Sequence, residues 1–290
     1  MSWWEAVVLG LVQGLTEFLP ISSSAHLRIV GELIGSTDPG AAFTAITQIG
    51  TETAVLLYFR RDIARIVVAW WRALTGANGS DWHSRFGEGD PDARMAWWIA
   101  LGSVPIVVLG LAFQDTITSS FRNLYLIAIT LAVFGLILGW ADKVGAKRET
   151  LDRIDAKHAV AFGFAQAMAL IPGVSRSGGT ITAGLLLGYT REAAARYSFL
   201  LAIPAVLGSG FEQLVTNIDL LGTAGTPSLA MTLLAAFIAF VVGYVVIIGF
   251  LKIVSTYSYR PFVIYRLGLS VVVLALLVLG VLDPYGGALG

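Results

Sequence analysis

Long apolar stretches separated by short polar segments dominate this chain, and six of them are long enough to cross a bilayer as helices. A hydrocarbon core of roughly 30 Å needs about 20 apolar residues in helix. The six run from Ala41 to Phe59, Met95 to Phe113, Leu124 to Ala141, Tyr197 to Val215, Leu229 to Leu251 and Phe262 to Leu282. Two further apolar stretches are broken in mid-course. The Trp3–Leu19 stretch runs into Pro20 and a serine cluster, then resumes near Ala25 and ends near Ile34. The Ala159–Ile171 stretch runs into PGVSRSGG, then resumes near Thr180 and ends near Leu187. The returning arms are too short to span, so each broken pair is expected to form a re-entrant helical hairpin. Irregular backbone at that depth requires protein or a wet cavity to satisfy it.

The two interruptions are variants of one motif, QGLTEFLPISSSAH from Gln13 and QAMALIPGVSRSGG from Gln166. Gln13 pairs with Gln166, Ser22 with Ser175 and Ser24 with Ser177, each pair 153 positions apart, and Gly10 pairs with Gly163 at the same spacing. Pro20 and Pro172 are one position out of step. Each half then reads as one hairpin followed by three spans, an odd number, so the second half enters from the opposite face. The expected fold is an all-α polytopic membrane protein: six transmembrane helices and two re-entrant hairpins in an inverted-topology repeat. It forms one membrane domain over 1–290, with repeats near 1–141 and 158–282. Architectures of this kind place their site near the midplane, between the repeats.

Composition agrees. Hydrophobic residues make up 56% of the 290 positions and charged residues 13%, more apolar surface than a soluble chain of this size could bury. Lys+Arg and Asp+Glu balance at 19 each, which gives no basic footprint for nucleic acid. The chain has no cysteine, which excludes disulfides and thiolate chemistry, and its three histidines, far apart in sequence, argue against a multi-histidine metal cage. No signal peptide is evident in MSWWEAVV. Basic residues gather on alternate loops: Arg60, Arg61, Arg65, Arg72, Arg85 and Arg94 in one, Lys143, Lys147, Arg148, Arg153 and Lys157 in the next, then Lys252, Arg260 and Arg266. The opposite segments carry only Arg122. The positive-inside rule makes the basic loops cytoplasmic and puts both termini outside. Arg28 and Arg191 are expected to snorkel toward headgroups. The stretch from Asp81 to Asp92 is expected to be a mobile surface loop.

Charges inside the apolar segments carry the candidate chemistry, since each is costly there. Gln13 and Glu17, four apart, share one helix face and offer hard oxygens suited to Mg²⁺ or Ca²⁺. The same spacing would also serve to cap a helix or tie down the hairpin. Ser22, Ser23 and Ser24 precede His26, so a hydroxyl nucleophile and a base are available, although serine clusters also N-cap helices. Arg176 lies among Gly173, Ser175, Ser177 and Thr180 at the start of a helix, a pattern that suits an anion. The alternative is that Arg176 only neutralises Glu17. Glu52 is a further intramembrane acid, read as a metal ligand, a supporting acid, or a partner for Arg28 or Arg176. Together these groups would suit hydrolysis of a phosphoanhydride on a lipid.

Both motifs resemble those of the bacterial undecaprenyl-pyrophosphate phosphatases, also called bacitracin-resistance proteins, over essentially the whole chain. QGLTEFLPISSSAH is similar to their acidic motif and Ser-Ser-x-x-His run, and PGVSRSGGT to their Pro-Gly-x-Ser-Arg-Ser signature. The resemblance implies hydrolysis of a C55 polyprenyl pyrophosphate to the monophosphate carrier of cell-wall assembly, with Mg²⁺ or Ca²⁺. It also implies a bacterial plasma-membrane protein with a site open to the outer face, among membrane lipids. By that resemblance Glu17 and Gln13 belong to the metal motif, Ser23, His26 and Glu17 to catalysis. Arg176, with Ser175, Ser177, Gly173, Thr180 and Ser22, belongs to the pyrophosphate site. Gln13 stands where an acid is the alternative, which removes one charge from a metal site. The rival reading is a polyprenyl-phosphate transporter or flippase, which would grip phosphate but need no nucleophile. Mixed hydrophobic surfaces are compatible with a homodimer.

Overall fold

The computed structural model describes residues 1–35, 40–113, 123–217, 222 and 226–285. Arg122 and the remainder of its segment lie outside the described residues, as does most of 218–225 and the end of the chain. Among the described residues the regular structure is helical, with one isolated bridge between Glu149 and Tyr189.

The first hairpin consists of α1 (Trp3–Thr16) and α2 (Ser23–Leu33). It is followed by α3 (Gly40–Tyr58), α4 (Arg60–Leu74), α5 (Trp82–Arg85), α6 (Pro91–Ala112) and α7 (Leu124–Val144). The second half has α8 (Ala156–Ala167) and α9 (Arg176–Leu186), then α10 (Arg191–Asn217), α11 (Leu229–Thr256) and α12 (Arg260–Val278). Polar caps mark many starts. Ser2 and Glu5 form a capping box on α1, Asp90 caps α6 ahead of Pro91, and Asn123, Asp155 and Ser228 cap α7, α8 and α11.

Among the described residues five helices are long and apolar enough to cross a membrane: α6, α7, α10, α11 and α12. The expected sixth, α3, is not among them. Gln48, Glu52 and its threonines dilute its hydropathy, and Thr47, Thr51 and Glu52 are buried in protein, away from lipid. The basic segment after Phe59, expected to be a loop, is largely the helix α4. Asp62, Arg65 and Arg72 lie on its polar side, while Val67, Val68 and Trp71 are exposed, the character of a helix lying in the membrane interface. The Asp81–Asp92 stretch contains α5, capped by Asp81. Both returning arms start earlier than expected, at Ser23 and Arg176.

The halves interlock reciprocally. Helix α1 packs along α11 and α8 along α6, while α3 meets both α10 and α11, and α7 meets α12. The motif-related glycines make these approaches: a Cβ on Gly10 would fall 2.7 Å from the Ala235 carbonyl oxygen, and one on Gly163 2.5 Å from that of Gly102. Phe18, next to Glu17, sets its ring edge-on to Phe199 of α10 at 5.3 Å, anchoring the first hairpin in the main aromatic core.

Candidate active site

The two hairpin tips meet tip to tip. Each returning helix starts from a serine with left-handed backbone, Ser22 and Ser175, both at φ 73°. Non-glycine residues rarely adopt this region, and strain of this kind clusters at ligand sites. In each motif the cap serine also bonds the serine two residues on, Ser22 to Ser24 and Ser175 to Ser177, both at 3.2 Å. Ser175 caps α9 by accepting from the Gly178 N–H at 3.1 Å, whereas Ser22 makes no capping bond. The first N–H groups of α2 are thus left for a ligand, next to the positive end of its dipole.

Glu17 joins the tips. Its Oε2 accepts from Ser23 Oγ at 2.6 Å and from Gln13 Nε2 at 2.8 Å, and its Oε1 accepts from Arg176 Nη2. The carboxylate is nearly buried, so its charge rests on these three donors. Among the described residues Nη2 makes the one protein hydrogen bond of the Arg176 guanidinium, leaving Nε and Nη1 for another oxyanion. Arg176 is thus the partner of Glu17, with further donors left for an anion.

These groups close one end of a cavity of about 520 Å³. Glu17, Ser22, Ser23, Ser24, Ser175 and Arg176 supply its polar end. Its walls come from apolar residues of α6 and α10, among them Val107, Leu111 and Val206, and from Ala45 and Gln48 of α3. The volume suits a headgroup and the first units of a chain, not a C55 tail.

Other expected site residues stand behind this wall. Thr180 is fully buried and donates to the Arg176 carbonyl at 2.8 Å, Ser177 donates to the Leu19 carbonyl at 3.1 Å, and Gly173 turns the chain at φ 90°. They shape the tips and do not line the cavity. His26 is not bonded to Ser23 as the catalytic pairing requires. Its Nδ1 lies 2.7 Å from the Ser22 carbonyl, so it carries the proton there, and Nε2 lies 2.7 Å from the Tyr265 hydroxyl. One helical turn from Ser22, the imidazole reaches that carbonyl more easily than the Ser23 hydroxyl, which Glu17 holds. Arg28 does not snorkel either. It is buried, pairs with Glu32 at 3.1 Å, and leaves Nε and Nη2 without partners. Arg191 pairs with Asp142 at 2.6 Å and stays partly exposed.

Arg266 was missed by sequence reasoning, which counted it among loop charges. It is 0% exposed, inside α12, and all five of its donors meet carbonyls. Nη1 donates to Pro20 and Val174 at 3.0 and 3.1 Å, Nη2 to Gly173 and Thr130 at 2.8 and 3.3 Å, and Nε to Leu131 at 3.0 Å. It ties both tips to α7. The only signal in sequence is a lone arginine a turn and a half into an apolar helix.

Among the described residues no group of three or more His, Asp or Glu side chains is placed to hold a metal ion. A divalent cation shared with a phosphate needs less, since Mg²⁺ is commonly held by one or two carboxylates and the substrate's own oxygens. Glu17 and the amide oxygen of Gln13, buried and without a hydrogen-bond partner, fit that requirement.

Comparison with known proteins identifies the family. The family profile described as "Bacitracin resistance protein BacA" matches residues 6–272. A protein of Paenarthrobacter aurescens named undecaprenyl-diphosphatase is 63% identical over 277 residues, covering 94% of this chain and 97% of that one. One of the same name from Pseudarthrobacter chlorophenolicus is 61% identical, covering 98% and 100%, and undecaprenyl-diphosphatase 2 of Agrobacterium fabrum is 60% identical, covering 99% of each. With paired hairpin motifs that meet at Glu17 and Arg176, and a profile match across nearly its whole length, this chain belongs to the bacitracin resistance protein BacA family.

Proposed function

We propose that this protein hydrolyses the terminal phosphoanhydride bond of undecaprenyl pyrophosphate, releasing inorganic phosphate and leaving the lipid monophosphate. The observation that carries this reading is the Ser23–Glu17–Arg176 cluster lining a largely apolar cavity. The name undecaprenyl-diphosphatase, borne by relatives of 54–63% identity, supports an enzyme over a carrier. So does the hydroxyl already bonded to a base, which a carrier does not need.

Ser23 Oγ attacks the terminal phosphorus while its proton passes to Glu17 Oε2. The bond from that phosphorus to the bridging oxygen breaks, and the lipid monophosphate leaves with the electron pair. Glu17 passes that proton to the departing monophosphate oxygen, then takes one from the water that attacks the phosphoserine phosphorus and returns it to Ser23 Oγ as inorganic phosphate leaves. Arg176 and the first N–H groups of α2 bind the charged oxygens of the transferred group. Mg²⁺ or Ca²⁺, held by Glu17 with Gln13, would offset charge on the pyrophosphate. Gly173, Ser177 and Thr180 keep the Arg176 tip in place.

The same proposal takes α3 as the sixth span and the α1–α2 and α8–α9 pairs as re-entrant hairpins of an inverted repeat. The reciprocal packing of α1 on α11 and α8 on α6 supports it. The site opens to the outer face of the bacterial plasma membrane. In support, the cavity is lined by the later turns of α6 and α10, at Leu111 and Glu212, and both helices begin beside basic cytoplasmic segments.

The test is phosphate release from a C55 pyrophosphate in detergent, with Mg²⁺, Ca²⁺ or chelator, by wild type, Arg176→Ala and Glu17→Ala. Metal-dependent release lost in both variants is expected. No release by well-folded wild type would overturn the reading and turn attention to transport.

A further inference from the structure

Glu52 is the acid that the chemistry above leaves unused. It is 1% exposed on α3, and its Oε1 has no hydrogen-bond partner. Ala45 and Gln48, seven and four residues earlier, line the cavity, so Glu52 continues the same helix face one turn deeper. At that depth it lies within electrostatic range of both Arg176 and Glu17. A carboxylate buried this far in a membrane protein, with an idle oxygen, is expensive, so the group takes up a proton when alone and is held ionised only beside a cation.

The charge balance shows what is missing. Arg176 cancels Glu17, and Gln13 contributes an oxygen but no charge. The Gln13–Glu17 pair alone therefore offers a divalent cation no net negative charge. Glu52 supplies one from a different helix. Two oxygens in this cluster, Gln13 Oε1 and Glu52 Oε1, are buried and unpartnered. Both are hard ligands of the kind Mg²⁺ and Ca²⁺ take, with phosphate oxygens completing the shell.

We infer that Glu52 is the second carboxylate of a divalent-cation site that it forms with Glu17 and the amide oxygen of Gln13. The site rests on the phosphatase reading only in that the pyrophosphate supplies the remaining ligands. Glu52 takes over the charge that an acid at position 13 would carry.

The test uses Mn²⁺ binding to the purified full-length protein in detergent, followed by electron paramagnetic resonance with and without inorganic pyrophosphate. Glu52→Gln is expected to weaken Mn²⁺ about tenfold or more. Adding Gln13→Glu to Glu52→Gln is expected to restore much of the affinity, because the charge returns to the same cluster. Glu32→Gln, which removes an acid outside it, is expected to bind as wild type. Thermal unfolding without metal identifies any variant that fails to fold, and the charge-swapped double variant then carries the comparison. Wild-type Mn²⁺ affinity in folded Glu52→Gln, or loss that Gln13→Glu does not recover, overturns the proposal. So does absence of Mn²⁺ binding by wild type with pyrophosphate present. Phosphate release from the lipid is read separately, so wild-type release that continues despite any of these results leaves the phosphatase reading standing.

Discussion

The Ser23 hydroxyl donates to Glu17 at 2.6 Å, and in the proposed mechanism this bond joins the nucleophile to its base within one hairpin. His26 faces away, toward Tyr265. The bond predicts an order among variants. Ser23→Ala should lower the rate of phosphate release by about 10²–10⁴-fold. His26→Ala should cost clearly less, and Tyr265→Phe should follow His26→Ala in direction. Steady-state release from the C55 pyrophosphate measures all three. A Ser23→Ala enzyme more active than His26→Ala would transfer the nucleophile's role to the histidine or to water.

In the proposed mechanism Arg176 serves two oxyanions, Glu17 and the transferred phosphate, so charge alone should not replace it. Arg176→Lys keeps the charge but loses the planar fork that can hold Glu17 and phosphate together. Its rate should fall by about 10²–10³-fold, the scale for removing one donor to a developing oxyanion. Near-wild-type turnover by Arg176→Lys would show that a point charge suffices.

Arg266 predicts a loss of stability. Arg266→Lys leaves at least two of five buried carbonyls without a donor, at roughly 1–3 kcal/mol for each unsatisfied group. The melting temperature in detergent should drop by several degrees, and activity should fall with it because Pro20 and Gly173 belong to the two tips. An unchanged melting temperature would mean that α12 does not hold the tips together.

Gly173 offers a sharper backbone test. It sits at φ 90°, and a Cβ there would fall 2.0 Å from Thr130 Oγ1 and 2.7 Å from the Ile127 carbonyl. Gly173→Ala should destabilise by at least about 2 kcal/mol, from strain and overpacking combined. Gly249→Ala in α11 meets nothing within 4 Å and should be neutral or stabilising by about 0.5–1 kcal/mol. Thermal melts of the two variants side by side give the comparison.

Several features were legible because they depend on near neighbours in the chain. Apolar run length marked five spans, and Pro20 and Pro172 with their serines marked both interruptions. The matched motifs pointed to one shared site, and the Glu17–Arg176 pairing, read from sequence only as the alternative to an anion site, is present across 159 positions. Periodicity and hydropathy carry this information because a helix repeats every few residues and lipid selects for length.

Tertiary structure decided the rest. An arginine near a span end reads as a cytoplasmic charge whether it reaches water or, as Arg266 does, the Pro20 carbonyl 246 positions away. Arg28 is likewise buried and held by Glu32. His26 follows the serines closely enough to suggest a pair, yet the turn at Ser22 gives Ser23 to Glu17 and His26 to Tyr265. Glu52 shows its place only once α3 is packed beside the tips. The sequence thus marks the apolar segments long enough to cross a membrane and the charged residues that stand out among them. Which of those residues meet is set by how helices from the two halves pack, because partners more than a hundred positions apart leave no local period to read.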